Sequence, residues 1–343
     1  MFEIKYMGKP RLTEYDLNVE LFDKYNIKVK DIVPVRNVFI VHTDKGDKVL
    51  KKIDYCTDEL EFIHQAILYI QKTFTRVVDF DKAESGEIYL KWENEIYCLM
   101  GLIEGRECEF SNPVDVMIAA RGIAEFHKAS RGFTYENKSK NNCNAAIRGF
   151  KNRLEEIKFF KKIVNMYDNK NEFDELFLKN VDSYLVQIED SIEIMEKTQY
   201  YDLYKEIDKI AFCHHDLAHH NIIINNEEAH FIDYDYSIID LKVHDLSNFI
   251  NKAIKNVVYD FEKCKIILKE YQSKNTLELS EMEVLYGLLS FPQSFYEITR
   301  DYYKRRKIWD EGVFIDKFKK TLELKEDNLE FLEDFKKYFL KVI

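Results

Sequence analysis

Asp216, Asn221 and Asp233 are the residues whose types and spacing point most directly to chemistry. Asp216 and Asn221 share a polar, histidine-rich loop; an apolar segment, the turn Asn225-Asn226-Glu227-Glu228 and a second apolar segment then lead to Asp233. A loop followed by a tight hairpin brings its start and its end together, so the three side chains would surround one small space. Oxygen ligands there suit Mg²⁺, and a spare carboxylate can orient a hydroxyl, which in outline is a phosphoryl-transfer site. The plainer reading is that Asp and Asn sit around a hairpin as ordinary turn residues, a role they favour on their own account. Zinc is a rival, because His214, His215, His219 and His220 crowd the same loop and His215 and His219 have a helical metal-pair spacing.

The elements that must position these residues can be read from pattern. Between Ile32 and Ile53, two apolar stretches flank Thr43-Asp44-Lys45-Gly46-Asp47, the turn chemistry of an antiparallel hairpin. Asp58 and Glu61 have capping-box spacing ahead of a helical stripe of Leu60, Ile63, Ile67, Ile70 and Phe74. Residues 77–80, 87–92 and 95–103 read as three further strands separated by polar breaks. Asn112 and Pro113 then supply an N-cap and a first-turn proline for a helix toward Ser130, apolar nearly all round and therefore buried. Residues 134–144 are polar and read as a mobile connection, followed by long helices near 147–166 and 171–197.

The stretch 210–250 resembles the catalytic region of the protein-kinase-like superfamily, in the branch of aminoglycoside phosphotransferases and choline kinases. That branch carries H-G-D-x-x-x-x-N followed by I-D; the matches here are His214, Asp216, Asn221 and Ile232-Asp233. The resemblance implies that Asp216 is the catalytic base for a substrate hydroxyl and that Asn221 and Asp233 hold Mg²⁺ on the phosphates of ATP. It also implies that His214 hydrogen-bonds the catalytic loop and that Asp245 anchors it. The motif's glycine is replaced by His215. Within the branch the chain is similar to the spore coat protein CotS group, through GLIEGREC at 101–108, a helix ending AEFH at 124–127, CHHD at 213–216 and IDYDYSIIDLKVHDL at 232–246.

By this resemblance the fold is α+β and bilobed: an antiparallel-sheet N-lobe over residues 1–103 on the nucleotide side, and a mainly helical C-lobe over 104–343 with the catalytic loop and hairpin. Lys51 would bind phosphate, since Val49, Lys51 and Ile53 share one strand face; Lys52 is the alternative. Its carboxylate partner would be Glu59 or Glu61. The linker Leu99 to Ile103, with Met100 and Leu102, would hold the adenine through its backbone. The sequence departs from protein kinases between the first strands, where no glycine occurs from Gly8 to Gly46. Arg36-Asn37-Val38-Phe39 stands there instead, and Asn37 resembles an asparagine that small-molecule kinases often carry.

Composition sets the outer bounds. Acids outnumber bases, 62 to 51, and the net charge of −11 disfavours nucleic acid and anionic membranes as partners. The six cysteines are scattered and read as reduced thiols, and the first residues encode neither a signal peptide nor a membrane span. The expectation is a protein made in the cytoplasm and, by resemblance, placed in the spore coat. Two readings compete: a Mg·ATP-dependent phosphotransferase for a small hydroxylated substrate, and a non-catalytic coat scaffold binding other coat proteins. A third is an aminoglycoside- or choline-type phosphotransferase.

Overall fold

The computed structural model describes residues 19–136, 140–255 and 258–340. The N-terminal stretch searched for a leader lies outside them.

A short helix α1 (Val19–Asp23) leads into β1 (Val29–Val35), β2 (Val38–Thr43) and β3 (Gly46–Ile53). After helix α2 (Thr57–Ile70) come β4 (Leu90–Trp92) and β5 (Glu95–Gly101), completing a sheet of order β1-β2-β3-β5-β4. All four of its pairings are antiparallel. Gly46 has a positive φ of 96° at the β2–β3 turn, a backbone that glycine adopts without steric cost. One sheet face, through Phe39, Val41, Leu50, Tyr97 and Leu99, closes a small core with Leu21, Phe22 and Tyr25. The other face carries Val49, Lys51 and Ile53, the strand alternation expected for period two.

Three local expectations are corrected. Helix α2 begins at Thr57 with Cys56 as an N-cap that makes no side-chain bond, so Asp58 lies inside the first turn and forms no capping box with Glu61. Glu61 instead accepts from Gln65 Nε2 at 2.5 Å. Residues 77–80 form no strand; Val77 and Phe80 make single bridges, to Phe231 and Met100, because this segment crosses between the sheet and the catalytic hairpin. Of residues 87–92, only Leu90–Trp92 pairs as a strand.

The rest is helical around two small strand sets. A two-residue strand β6 (Arg106–Glu107) pairs with β8 (Ile222–Asn225), which pairs with β9 (Glu228–Phe231); β7 (Ile210–Cys213) pairs with β10 (Ile238–Leu241). Helix α3 (Pro113–Ala129) opens as its sequence dictates: Asn112 Oδ1 accepts from Val114 N, and Pro113 occupies the first turn. Ten of its residues are buried, including Asp115 and His127. Helices α4 (Ala146–Asn165) and α5 (Glu172–Lys197) pack as a pair, followed by the short α6 (Tyr200–Leu203). Then α7 (Lys242–Ile254), α8 (Phe261–Gln272), α9 (Leu279–Ser290), α10 (Gln293–Tyr303), α11 (Glu311–Glu323) and α12 (Lys325–Phe335) complete the chain. The described part of 134–144 is docked, not loose: Lys140 is buried and Asn141 bridges to Ile239. Residues 137–139 lie outside the described set.

Candidate active site

The catalytic-type loop hangs on one buried carboxylate. Asp245, on the first turn of α7 and fully buried, accepts from His214 N at 2.7 Å and His215 N at 2.8 Å, while His127 Nε2 stands 3.0 Å away. Burial alone would raise the Asp245 carboxyl, but His127 and these donors hold it down at about 2. His127, Cys213 and Asp245 are the one cluster of metal-ligand type among the described residues. Of these, His127 and Asp245 are joined by a hydrogen bond, Cys213 Sγ faces the carbonyls of Ala211, Asp240 and Leu241, and Tyr271 OH stands 2.8 Å from His127 Nδ1. His214 reaches across to Ile232 O at 2.9 Å, tying the loop to the hairpin's far strand. The four histidines of the loop do not converge: His215 packs on His244, and His219 lies edge-on to Phe110.

His215 has a φ of +66°, the left-handed backbone where a motif glycine would be unstrained. That conformation turns the chain so that Asp216 follows directly on the anchored His214-His215 pair. Burial, then the charge of His244, lowers His215 to about 4, so it is neutral at ordinary pH.

Asn221, 2 % exposed, donates from Nδ2 to Asp216 O at 2.9 Å and to Asp216 Oδ2 at 3.0 Å, which leaves its Oδ1 as an acceptor. Ile232 N donates to Asn221 O at 3.1 Å, bringing Asp233 beside it. Asp233 itself has a φ of +67°. The hairpin therefore gathers Asp216, Asn221 and Asp233 as the spacing anticipates. The other Asp216 oxygen is bound by Lys252 Nζ, from α7. Burial works to raise Asp216, but Lys252, and beyond it the charges of His214 and His220, leave it below the usual carboxylate range.

Lys51 closes the site from the opposite lobe. Its Nζ lies 2.5 Å from Asp233 Oδ1 and 2.6 Å from Asp235 Oδ1. Burial would lower this lysine, but Asp235 and Asp233 together raise it. Lys52 points away and pairs with Glu95 at 2.7 Å. Neither expected glutamate meets Lys51: Glu59 pairs with Lys140 at 3.1 Å, and Glu61 faces Gln65. Lys140 also donates to Asp235 O at 3.1 Å, and Tyr55 OH to Asp235 Oδ1 at 2.9 Å.

At the linker, Met100 is buried and pairs with Val49. Leu102 N donates to Asp47 O at 3.1 Å, because the β3–β5 ladder runs one residue past the strand. Leu102 could therefore meet an adenine only through its carbonyl; the next N–H, that of Ile103, has no partner among the described residues. Asn37 sits exposed in the β1–β2 turn. Its neighbour Arg36, φ +54°, pairs with Glu107 at 2.7 Å and so links that turn to β6.

Sequence reasoning overlooked Asp235 and Lys252. Asp235 was signalled by Ile232-Asp233-Tyr234-Asp235, a second carboxylate two residues on. Lys252 stands seven residues after Asp245, two helical turns along the same face of α7.

The oxygen donors of Asn221, Asp233 and Asp235 fit a hard divalent cation, and the ammonium between two of them marks where positive charge is favoured. Among solved structures, an aminoglycoside phosphotransferase from Alicyclobacillus acidocaldarius subsp. acidocaldarius DSM 446 superposes with a TM-score of 0.82 at 17% identity, covering 95% of this chain and 97% of that one. The AMP-bound complex of a spectinomycin phosphotransferase gives 0.67 at 14% identity, covering 92% and 96%. The fold is thus that of the kinase-like phosphotransferases. Spore coat protein S of Bacillus subtilis (strain 168) is 24% identical over 317 residues, 90% of this chain and 89% of its own. Residues 18–335 match the family described as spore coat putative kinase YutH, and the chain belongs to that family.

Proposed function

We propose that this protein is a spore coat phosphotransferase that uses Mg·ATP to phosphorylate a small hydroxylated acceptor. The observation that carries the reading is the two-lobed bridge of Lys51 to Asp233 and Asp235, set beside Asn221 and Asp216. A scaffold would gain little from an inward lysine and three carboxylates converging in one half-buried place, since buried charge is costly unless paired.

In this reading Lys51 binds the ATP phosphates, and Asn221 and Asp233 hold Mg²⁺, which when bound offsets charge on the phosphate oxygens. Asp216, ionised under the influence of Lys252, accepts the proton of the acceptor hydroxyl. The acceptor oxygen bonds to the γ-phosphorus as the bond from that phosphorus to the ADP oxygen breaks. Asn37, Met100 and the Leu102 carbonyl border the nucleotide. No membrane role is proposed; no helix among the described residues is long and apolar enough to cross a bilayer.

The β1–β2 turn favours the second reading, a coat scaffold derived from a kinase. That turn holds Arg36 and Asn37 where glycines would let backbone N–H groups approach phosphates. Calorimetry of Mg·ATP on the wild type and on Asp233→Ala tests between them. Binding that requires both Mg²⁺ and Asp233 is expected. Absence of binding at millimolar ATP overturns the phosphotransferase reading and leaves the scaffold.

A further inference from the structure

We propose that the acceptor carries, besides its hydroxyl, an anionic group, a carboxylate or a phosphate, and that Arg153 and Lys255 receive it. This rests on the phosphotransferase reading and names the substrate class of the same site.

From Asp216 a path of side chains runs through the helical lobe. Lys252 of α7 binds Asp216. One turn further along, at the end of the same helix, Lys255 donates to Ser294 Oγ, at the start of α10. The residue before it, Gln293, accepts from Arg153 Nη1 of α4 at 2.9 Å. Arg153 and Lys255 are thus tied to consecutive residues at the start of α10, and Lys255 lies three residues beyond the lysine that binds Asp216. Arg153 acts electrostatically on His244, which packs on His215 next to Asp216, in a chain whose net charge is −11.

Their partners are unusual. Arg153 and Lys255 have no carboxylate in ion-pair contact among the described residues, as is true of about half of the described lysines and arginines, but these two are half-buried and bond instead to the neutral side chains of Gln293 and Ser294. Arg153 is instead held flat among aromatic rings, its guanidinium 5.0 Å from the Tyr296 centroid, 5.3 Å from Phe291 and 5.9 Å from Phe150. Such a cradle fixes a planar fork whose unused N–H groups suit a carboxylate or phosphate. Both residues are half-buried, and burial lowers the proton affinity of each despite the nearby negative charge.

Glu297 is the carboxylate that acts on both cations, and Lys317 and Lys320 of α11 add positive charge toward Lys255. Glu297 is exposed and accepts from Gln293 Nε2 at 2.7 Å, while Glu156 is engaged by Tyr296 OH at 2.8 Å and by Lys304. Arg300 is already matched to Asp301 at 2.6 Å. A polyamine acceptor would meet like charge here, and like-charge juxtaposition disfavours a partner strongly.

The test titrates the full chain, by calorimetry at low salt without nucleotide, with four molecules sharing one ring: glucose 6-phosphate, glucuronate, glucose and glucosamine. At least one anion is expected to bind about tenfold or more tightly than glucosamine, a gap set by charge complementarity. Arg153→Gln and Lys255→Gln should each remove most of that preference, while Lys51→Met, on the nucleotide side, should keep it. Arg153→Lys retains the charge and should fall between. Binding of glucose 6-phosphate alone identifies phosphate as the group; binding of both anions shows that a carboxylate suffices. Equal or tighter binding of glucosamine, no binding of either anion, or a preference surviving both charge removals overturns the proposal. Mg·ATP titrations on the same proteins separate the two readings. Anion preference without nucleotide binding leaves this surface standing and removes the phosphotransferase; nucleotide binding without the preference removes this proposal alone.

Discussion

Asp245 shows how much of a catalytic geometry a single buried charge can hold. It takes two backbone N–H groups and His127, so the carboxylate stays ionised in a place with no exposure to water. Its folded-state value of about 2 lies below the unfolded value. The resulting stability, about 2 kcal/mol from a shift of this size, is fully present above pH 4 and is lost as pH falls through 2. Asp245→Asn should abolish this acid-side dependence and lower stability by about 3 kcal/mol, because two loop amides lose a charged acceptor; urea unfolding between pH 2 and 6 reads both effects. Lys252 acts on Asp216 in the same electrostatic sense but from a more exposed position. Lys252→Ala should let the Asp216 carboxyl titrate at higher pH than in the wild type, measurable by carbon-detected NMR. An unchanged titration would show that the ion pair is not formed in solution.

At the scale of elements, close approach between backbone layers decides where the hairpin sits. Gly122 lies in the middle of α3, and a Cβ there would stand 2.7 Å from Ala229 Cβ on β9. Neither group can swing aside, since both are fixed to backbone. Gly122→Ala should therefore destabilise the protein by about 1–3 kcal/mol through overpacking, against a helix-propensity gain of about 1 kcal/mol. Denaturant midpoints settle the sign. Gly105, φ +139°, is tighter still, with a Cβ position 2.6 Å from Ile224 O. The motif around it thus has a packing reason: it brings the linker's end onto β8, the strand that begins directly after Asn221 and opens the hairpin leading to Asp233.

At the scale of the whole molecule, the lobes meet through Lys51 and the two carboxylates of the hairpin end. Lys51→Met should leave Asp233 and Asp235 facing one another without a cation. Thermal unfolding should then show a lower Tm than the wild type and a larger upward shift on adding Mg²⁺ alone. Mg·ATP at a hundredfold excess over its Kd should stabilise the wild type by about 3 kcal/mol, by mass action on the folded state. That shift should vanish in Asp233→Ala.

Much of this was legible in the chain because it is local. The turn at Asp44, the cap at Asn112, the period-two face carrying Lys51 and the order Asp216, Asn221, Asp233 each depend on a few neighbouring residues. The misread elements are those where tertiary context overrode local pattern. Residues 77–80 have strand chemistry, yet they bridge two separate elements and so pair with neither along a ladder. Spacing suggested a capping box at Asp58, but the helix starts before it. What Lys51 touches could be decided only by docking one lobe on the other. Its partners are 182 and 184 residues away, while the nearer Glu59 is drawn off by Lys140. Arg153 and Lys255 belong to the same class: alone each reads as a surface cation on a helix. Only the packing of α4, α7 and α10 ties them to consecutive residues of α10 with no carboxylate in ion-pair contact, because charge balance is a property of the assembled space and not of the sequence order.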